Sequence, residues 1–395
     1  DERSFFFAGE NTLYFSSGRD KKAGGPPETI YYKLDLTGGE AQKAFTVPTR
    51  VSSISPIDEN RFLVLTPRDI SEEKKPAEGE PAAQPGKDYL ILDEIPIWSN
   101  GFGFKSKIRT AAMLFDRRTG RLEPLSPKLM NVSGARLNAK KDKILYFGPV
   151  YDQMMPRLCP LHVYDLNTRT DSVLLADGRM AVSAAHFLGD QVVFAASDDE
   201  EGFSCSNPKL YIGDPATLKV RLLADEDMSI GTAVGSDSRY GAGATKAEYG
   251  GKLYFLSASW GNTFFYTVDA EGRVEKISEI GDAVRCFSLK DGKIVYVGMH
   301  GSTLNELYAF DPATGEDRQL TRLNQWYTDS HEVSKPEYFR FLNRDGVELE
   351  GWVLKPYGYD PAKKYPGVLE MHGGPKAVFG GVYFHEMQAL CAQGY

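Results

Sequence analysis

The sequence predicts a mainly β chain: a seven-bladed β-propeller followed by the first strands and helix of an α/β domain. Three observations predict it. A hairpin-forming phrase recurs six times, strands rich in β-branched and aromatic residues lie between its copies, and past residue 330 the repeat gives way to strand, Gly-Gly loop and helix. The 395 residues are 42% hydrophobic and 25% charged, the balance of a chain able to bury a sizeable core.

The recurring phrase is a short apolar strand, an Asp near its end, a turn with Gly or Asn, and a second strand closing on Leu or Ser. It reads IYYKLDLTGGE, AAMLFDRRTGRLEPLS, LHVYDLNTRTDSVLL, KLYIGDPATLKVRLL, FFYTVDAEGRVEKIS and ELYAFDPATGEDRQLT. Its acids are Asp35, Asp116, Asp165, Asp214, Asp269 and Asp311, spaced by 81, 49, 49, 55 and 42 residues. Asp bonds its own backbone a residue or two onward and Gly supplies the positive φ of a reversal, so each copy is a hairpin. RFLVLTP, KILYFGP, QVVFAAS, KLYFLSAS and KIVYVGM supply further strands, giving four per unit. Four-stranded units of roughly 40–50 residues mark a propeller, because no blade buries both its faces alone. A pair of sandwiches would not need so regular a period. The first of the six units looks clipped at residue 1, and a seventh blade is expected to close the ring.

The long first spacing has a visible cause. Residues 69–88, DISEEKKPAEGEPAAQPGKD, are a charged, Pro- and Ala-rich tract that cannot support a core and reads as an insertion loop. The apolar YLILDEIPIWSNGFGF after it is expected to extend the blade. The propeller is thus assigned to residues 1–330 and the α/β segment to 331–395. Within that segment Asn343–Gly346 reads as a turn, VELEGWVLKP and GVLEMH as strands, and YFHEMQALCAQ as an amphipathic helix stopped by Gly394.

Composition excludes several functions. A net charge of -8 without clustered Lys and Arg argues against a nucleic-acid partner. No apolar run approaches the ~20 residues that cross a bilayer, so no membrane partner is expected. Cys159, Cys205, Cys286 and Cys391 lie far apart without C-x-x-C spacing and read as buried free thiols of a reducing, cytoplasmic compartment. The absence of an initiator Met leaves an upstream export signal open. His162, His186, His300, His331, His372 and His385 show no metal spacing, so neither a metal nor another cofactor is expected.

The chemistry points to HGGP, His372–Pro375. In α/β-hydrolases a Gly-rich loop after the third strand supplies an oxyanion-hole N–H, and Gly lets the backbone approach the substrate oxygen. Gly374 is the expected donor. His372, Gly373 and Pro375 brace the loop, with His372 structural rather than a general base. The alternative is that Gly373, Gly374 and Pro375 merely turn a strand into a helix.

The run VSKPEYFRFLNRDGVELEGWVLKPYGYDPAKKYPGVLEMHGGP…FHEMQALCAQGY resembles the start of the catalytic domain of the prolyl oligopeptidase family of serine peptidases. The FHEMQ helix, DEIPIWSNGFGF and SDSRYGAG resemble most the acylaminoacyl-peptidase branch. The resemblance implies a propeller capping an α/β-hydrolase and admitting short peptides to a Ser-Asp-His site. No G-x-S-x-G occurs in the 395 residues, so the triad is expected beyond Tyr395, in a C-terminal portion or second chain, and this polypeptide alone is expected to be inactive. Homo-oligomerisation stays open.

Two features offer substrate contacts. In SDDEEGF, Glu200 and Glu201 invite comparison with the paired glutamates by which related dipeptidyl peptidases hold a free amine, though a charge run is ordinarily a solvated face. Arg239 in SDSRYG could present its donor fork to a substrate, with a salt bridge within the blade as the simpler reading. Two other functions compete with the peptidase: a non-catalytic propeller interaction module, and an esterase-like hydrolase on the same scaffold.

Overall fold

The computed structural model describes residues 2–21, 24–71, 92–100, 103–104, 107–198, 206–238, 243–280, 282–374 and 376–395. Its main feature is six four-stranded antiparallel sheets, the blades of a β-propeller. The strands are Arg3–Phe7, Thr12–Ser16, Thr29–Asp35 and Gln42–Val47 in the first sheet, and Ser53–Pro56, Arg61–Asp69, Ile108–Asp116 and Arg121–Pro124 in the second. The third has Gly134–Leu137, Lys143–Phe147, Leu161–Asp165 and Thr170–Leu175; the fourth Ala181–Leu188, Gln191–Ser197, Lys209–Asp214 and Lys219–Ala224. The fifth has Lys246–Tyr249, Lys252–Ser259, Asn262–Asp269 and Val274–Lys276; the sixth Ala283–Lys290, Lys293–Met299, Glu306–Asp311 and Glu316–Gln319. In every sheet the four strands lie side by side in chain order, and the second sheet keeps that order although Asp69 and its partner Ile108 are joined across the long insertion.

The repeated phrase forms the third and fourth strands of each blade. All six acids accept a backbone N–H from two residues on: Thr37 on Asp35, Arg118 on Asp116, Asn167 on Asp165, Ala216 on Asp214, Glu271 on Asp269 and Ala313 on Asp311, at 2.8–3.1 Å. The third, fourth and sixth turns each place a residue in the left-handed region just before their last strand, Arg169, Leu218 and Gly315 respectively. Gly315 is the Gly such backbone favours, as are Gly38 and Gly39 in the first turn, Gly120 in the second and Gly272 in the fifth, so Asp recurs in every turn and Gly in four of the six.

The cores lie between successive blades. Tyr14, Tyr31, Phe45 and Val47 of the first sheet pack with Phe62, Val64 and Phe115 of the second. Leu256 and Phe265 of the fifth do the same with Phe287, Ile294, Tyr296 and Phe310 of the sixth. Blades three and six also share a polar device. Tyr146 donates its hydroxyl to Asp171 at 2.8 Å, and His162, stacked on the same ring, meets that carboxylate through Nδ1 at 2.8 Å. In the sixth blade Tyr296 donates to Asp317 at 2.8 Å and stacks on Tyr308. Each phenol ties the second strand of its blade to the fourth across the third. Tyr146→Phe is therefore expected to cost about 1.5–3 kcal/mol in urea unfolding, the range for a bond to a charged acceptor; a loss under about 0.5 kcal/mol would refute this role.

Several expectations are corrected. The blades number six among the described residues, not seven, and the first has its four strands: Phe6 pairs with Tyr14 and Phe7 with Leu13, in a hairpin that lacks the Asp turn by which the units were counted. DEIPIWSNGFGF does not lengthen a blade strand; Trp98–Ser99 and Gly103–Phe104 pair with each other, and Glu94 is buried. Most of the 69–88 tract lies outside the described residues. GVLEMH is not a strand, for a ladder needs a partner and none lies beside it among the described residues; Leu369 and Met371 are exposed.

The chain divides into two compact units, Asp1–Glu200 with Gly213–Val220, and Glu201–Ile212 with Arg221–Tyr395. In the second, Gln325–Ser330 is a short helix, Glu337–Leu342 and Glu348–Val353 form a hairpin around the expected Asn343–Gly346 turn, and His385–Ala392 is the expected helix. That helix ends as Gly394 allows: Gly394 N–H reaches Cys391 O and Tyr395 N–H reaches Leu390 O, both at 3.1 Å, with Gly394 at φ +89°. No helix of the described residues is long and apolar enough to cross a membrane. Cys159, Cys286 and Cys391 are free, and Cys205 is outside the described residues.

Candidate active-site loop and its support

His372, Gly373 and Gly374 lie in an exposed turn closed by the Ala377 N–H on Gly373 O at 3.3 Å. Gly374 sits at φ +116°, and a Cβ there would lie 2.9 Å from Ala377 N and 3.1 Å from Lys376 N. The turn therefore requires Gly at 374, whereas a Cβ on Gly373 would meet nothing within 4 Å. Gly374 belongs to no helix or strand, and no described residue accepts its N–H. The His372 ring stands edge-on to Phe379, centroids 5.4 Å apart, and its Nδ1 is 3.3 Å from Gly373 O. Pro375, Arg239, Glu200 and Glu201 lie outside the described residues, so the structure brings together His372, Gly373 and Gly374 only.

Downstream of the turn the chain is held by the segment joining blades four and five. Lys376 Nζ donates to Ser206 O and, at 3.1 Å, to Asn207 Oδ1. Gly235 N–H donates to Val378 O at 2.8 Å, and Ser236 Oγ to Tyr383 O at 2.7 Å. The Asp237 carboxylate accepts the N–H of His385 at 2.7 Å and of Glu386 at 2.8 Å. Those are orphan donors at the start of His385–Ala392, whose own N-cap, Phe384, has no side chain to satisfy them. Val234, Ala283, Met299 and Val382 form a small buried core beneath this contact, with Val378 against it. Backbones approach closely as well: a Cβ on Gly380 would lie 2.3 Å from Gly261 O.

The Tyr383 hydroxyl bonds Tyr327 at 2.7 Å and His385 Nδ1 at 3.1 Å, and burial together with the Tyr327 bond pushes its phenol well above the ordinary range. Tyr327 thus packs edge-on against Tyr383, ring centroids 5.7 Å apart. Gln388 closes the other flank, accepting Ser334 N–H and donating to Ser334 O, both at 2.8 Å. The sequence reading missed Ser236 and Asp237. SDSR drew notice for its family resemblance and for Arg239, and nothing near it in sequence marked the other two residues, whose partners lie some 150 residues away. Among the described residues no three His, Cys, Asp or Glu side chains are arranged to hold a metal.

No protein-family model matches the chain. It is 32% identical over 145 residues to the uncharacterized peptidase YuxL of Bacillus subtilis, a match covering 36% of this chain and 22% of that protein. It is 36% identical over 69 residues to dipeptidyl peptidase 8 of Homo sapiens, 16% of this chain and 8% of that one. In fold it is similar to the Pyrococcus horikoshii acylaminoacyl peptidase, with a TM-score of 0.71 at 22% identity, over 98% of this chain and 55% of that one. The chain spans about half the length of that structural relative, and the sequence matches span a quarter or less of theirs. The proteins that this chain resembles in sequence and in fold are peptidases of the prolyl oligopeptidase family, acylaminoacyl and dipeptidyl peptidases among them.

Proposed function

We propose that the protein to which this chain belongs is a serine peptidase that removes residues near the N-terminus of short peptides. In this reading the blades restrict access, residues 331–395 open an α/β-hydrolase domain, and Gly374 N–H stabilises the oxyanion as the tetrahedral intermediate forms. The observation that carries it is Gly374: a glycine demanded by backbone geometry, in an exposed turn, with an N–H that no described protein group accepts. An N–H that no described protein group accepts suits a donor reserved for transition-state charge.

The nucleophile is a serine outside these 395 residues, since no G-x-S-x-G occurs within them. The test is labelling by a fluorophosphonate probe, alongside hydrolysis of acylated and free-amine peptide substrates. The full-length protein is expected to label at one serine and to lose activity with labelling, while the 395-residue chain takes up no label. A full-length protein that neither labels nor hydrolyses peptides, or a labelled 395-residue chain, would overturn the reading.

A further inference from the structure

We infer that Asp237, with Ser236 beside it, is a positioning residue for the Gly374 amide. This rests on the proposed peptidase reading and extends it to a part of the chain far from the active-site loop in sequence. Three consecutive residues, Gly235 to Asp237, hold the stretch from Val378 to Glu386 by four hydrogen bonds: Gly235 N–H to Val378 O, Ser236 Oγ to Tyr383 O, and the Asp237 carboxylate from the N–H groups of His385 and Glu386. The contact begins four residues after Gly374, and the intervening turn is short and closed on itself by the Ala377–Gly373 bond. Where Val378 is held, the turn follows.

The clamp has its own foundation. Val234 N–H donates to the buried Thr263 hydroxyl at 2.9 Å, Arg285 donates to Val234 O at 2.9 Å, and Asn305 donates to Ser238 O at 3.0 Å. Strands of the fifth and sixth blades thus fix the backbone on both sides of Asp237. Its carboxylate meets two consecutive N–H groups at the positive end of a helix, where a negative charge strengthens both bonds. The blades would in this way set the angle at which the Gly374 N–H meets the developing oxyanion, and small misplacements of such a group cost rate rather than binding.

The test compares full-length wild type with Asp237→Ala, Asp237→Asn and Tyr146→Phe, measuring kcat and KM on a peptide substrate and hydrogen exchange at the His385 and Glu386 amides. Asp237→Ala is expected to speed exchange at both amides by about tenfold and to lower kcat by about tenfold with KM within about twofold. Asp237→Asn, which keeps an acceptor oxygen, should recover most of kcat. Tyr146→Phe should lose stability with kcat unchanged, separating positioning from general destabilisation. Should Asp237→Ala fail to fold, Ser236→Ala, which removes the bond to Tyr383 O and the local bond from Ser238 N–H, is expected to show the same kcat-selective loss in smaller measure. An active wild type whose kcat is unmoved by Asp237→Ala, or moved equally by Tyr146→Phe, overturns the inference and leaves the peptidase reading standing. A wild type without peptidase activity defeats both.

Discussion

Gly374→Ala in the full-length protein is expected to lower kcat for peptide hydrolysis by about 100-fold while KM moves by less than about threefold, the effect of losing one oxyanion donor. The cause is steric. At φ +116° an L side chain is strained whatever the space around it, and here the new Cβ would press on the backbone nitrogens of Lys376 and Ala377 at 3.1 and 2.9 Å. Backbone cannot swing aside as a side-chain tip can, so the turn reshapes and the 374 N–H changes direction. Gly373→Ala is the matched control: its Cβ meets nothing within 4 Å, its φ is not positive, and its kcat should stay within about threefold of wild type. Gly373→Ala, at an exposed position whose φ is not positive, should also leave the unfolding midpoint where it is. If the two variants have equal kcat, the role given to Gly374 is wrong.

Glu94→Ala is expected to destabilise the first unit by about 3–5 kcal/mol, the range for removing one partner of a buried ion pair. Arg109 is fully buried and Glu94 nearly so. The guanidinium reaches the carboxylate at 2.5 and 3.2 Å, lies 3.8 Å over the Tyr151 ring and donates to Tyr151 O at 3.0 Å. Removing the carboxylate strands a cation without water, and it also leaves the Lys107 N–H, 2.8 Å from Glu94, without its acceptor. Replacing both partners together, as Glu94→Leu with Arg109→Met, should recover much of the loss, since no charge is then buried. A chemical melt in which Glu94→Ala costs under about 1 kcal/mol would show the pair to be dispensable.

The same pair sets the sign of a pH dependence. Burial alone would raise the Glu94 carboxyl, but bonds from Arg109 and from the Lys107 amide outweigh it and hold the group below its ordinary value. A carboxyl depressed in the folded state contributes stability that is present above its unfolded pKa and is lost as pH falls through the folded one. Asp35, depressed by bonds from Thr37, and Asp165, Asp214 and Asp269, depressed first by backbone N–H bonds, act in the same direction. Stability should therefore decline as pH falls from about 5 to about 3, with a shallower slope in the double variant. An unchanged slope there would remove Glu94 from the account.

What could be read in advance was what neighbours in sequence decide. The six Asp turns, the Asn343–Gly346 reversal and the Gly394 stop each depend on groups within about five residues of one another, so side-chain chemistry alone specified them. The first blade was counted through Asp35 but read as clipped, because its opening hairpin carries none of that chemistry. GVLEMH was misjudged because apolar, β-prone residues make a strand only when another strand meets them.

The candidate site divides in the same way. His-Gly-Gly pointed to Gly374 as backbone that must approach a substrate oxygen, and the structure adds a separate requirement for glycine there, the φ of +116°. That Asp237 would cap a helix beginning 148 residues later, that Ser236 would hold Tyr383, and that Glu94 would find Arg109 were decided by folding alone. A hydrogen bond or ion pair depends on separation in space, and separation along the chain says nothing about that until the blades have brought the segments together.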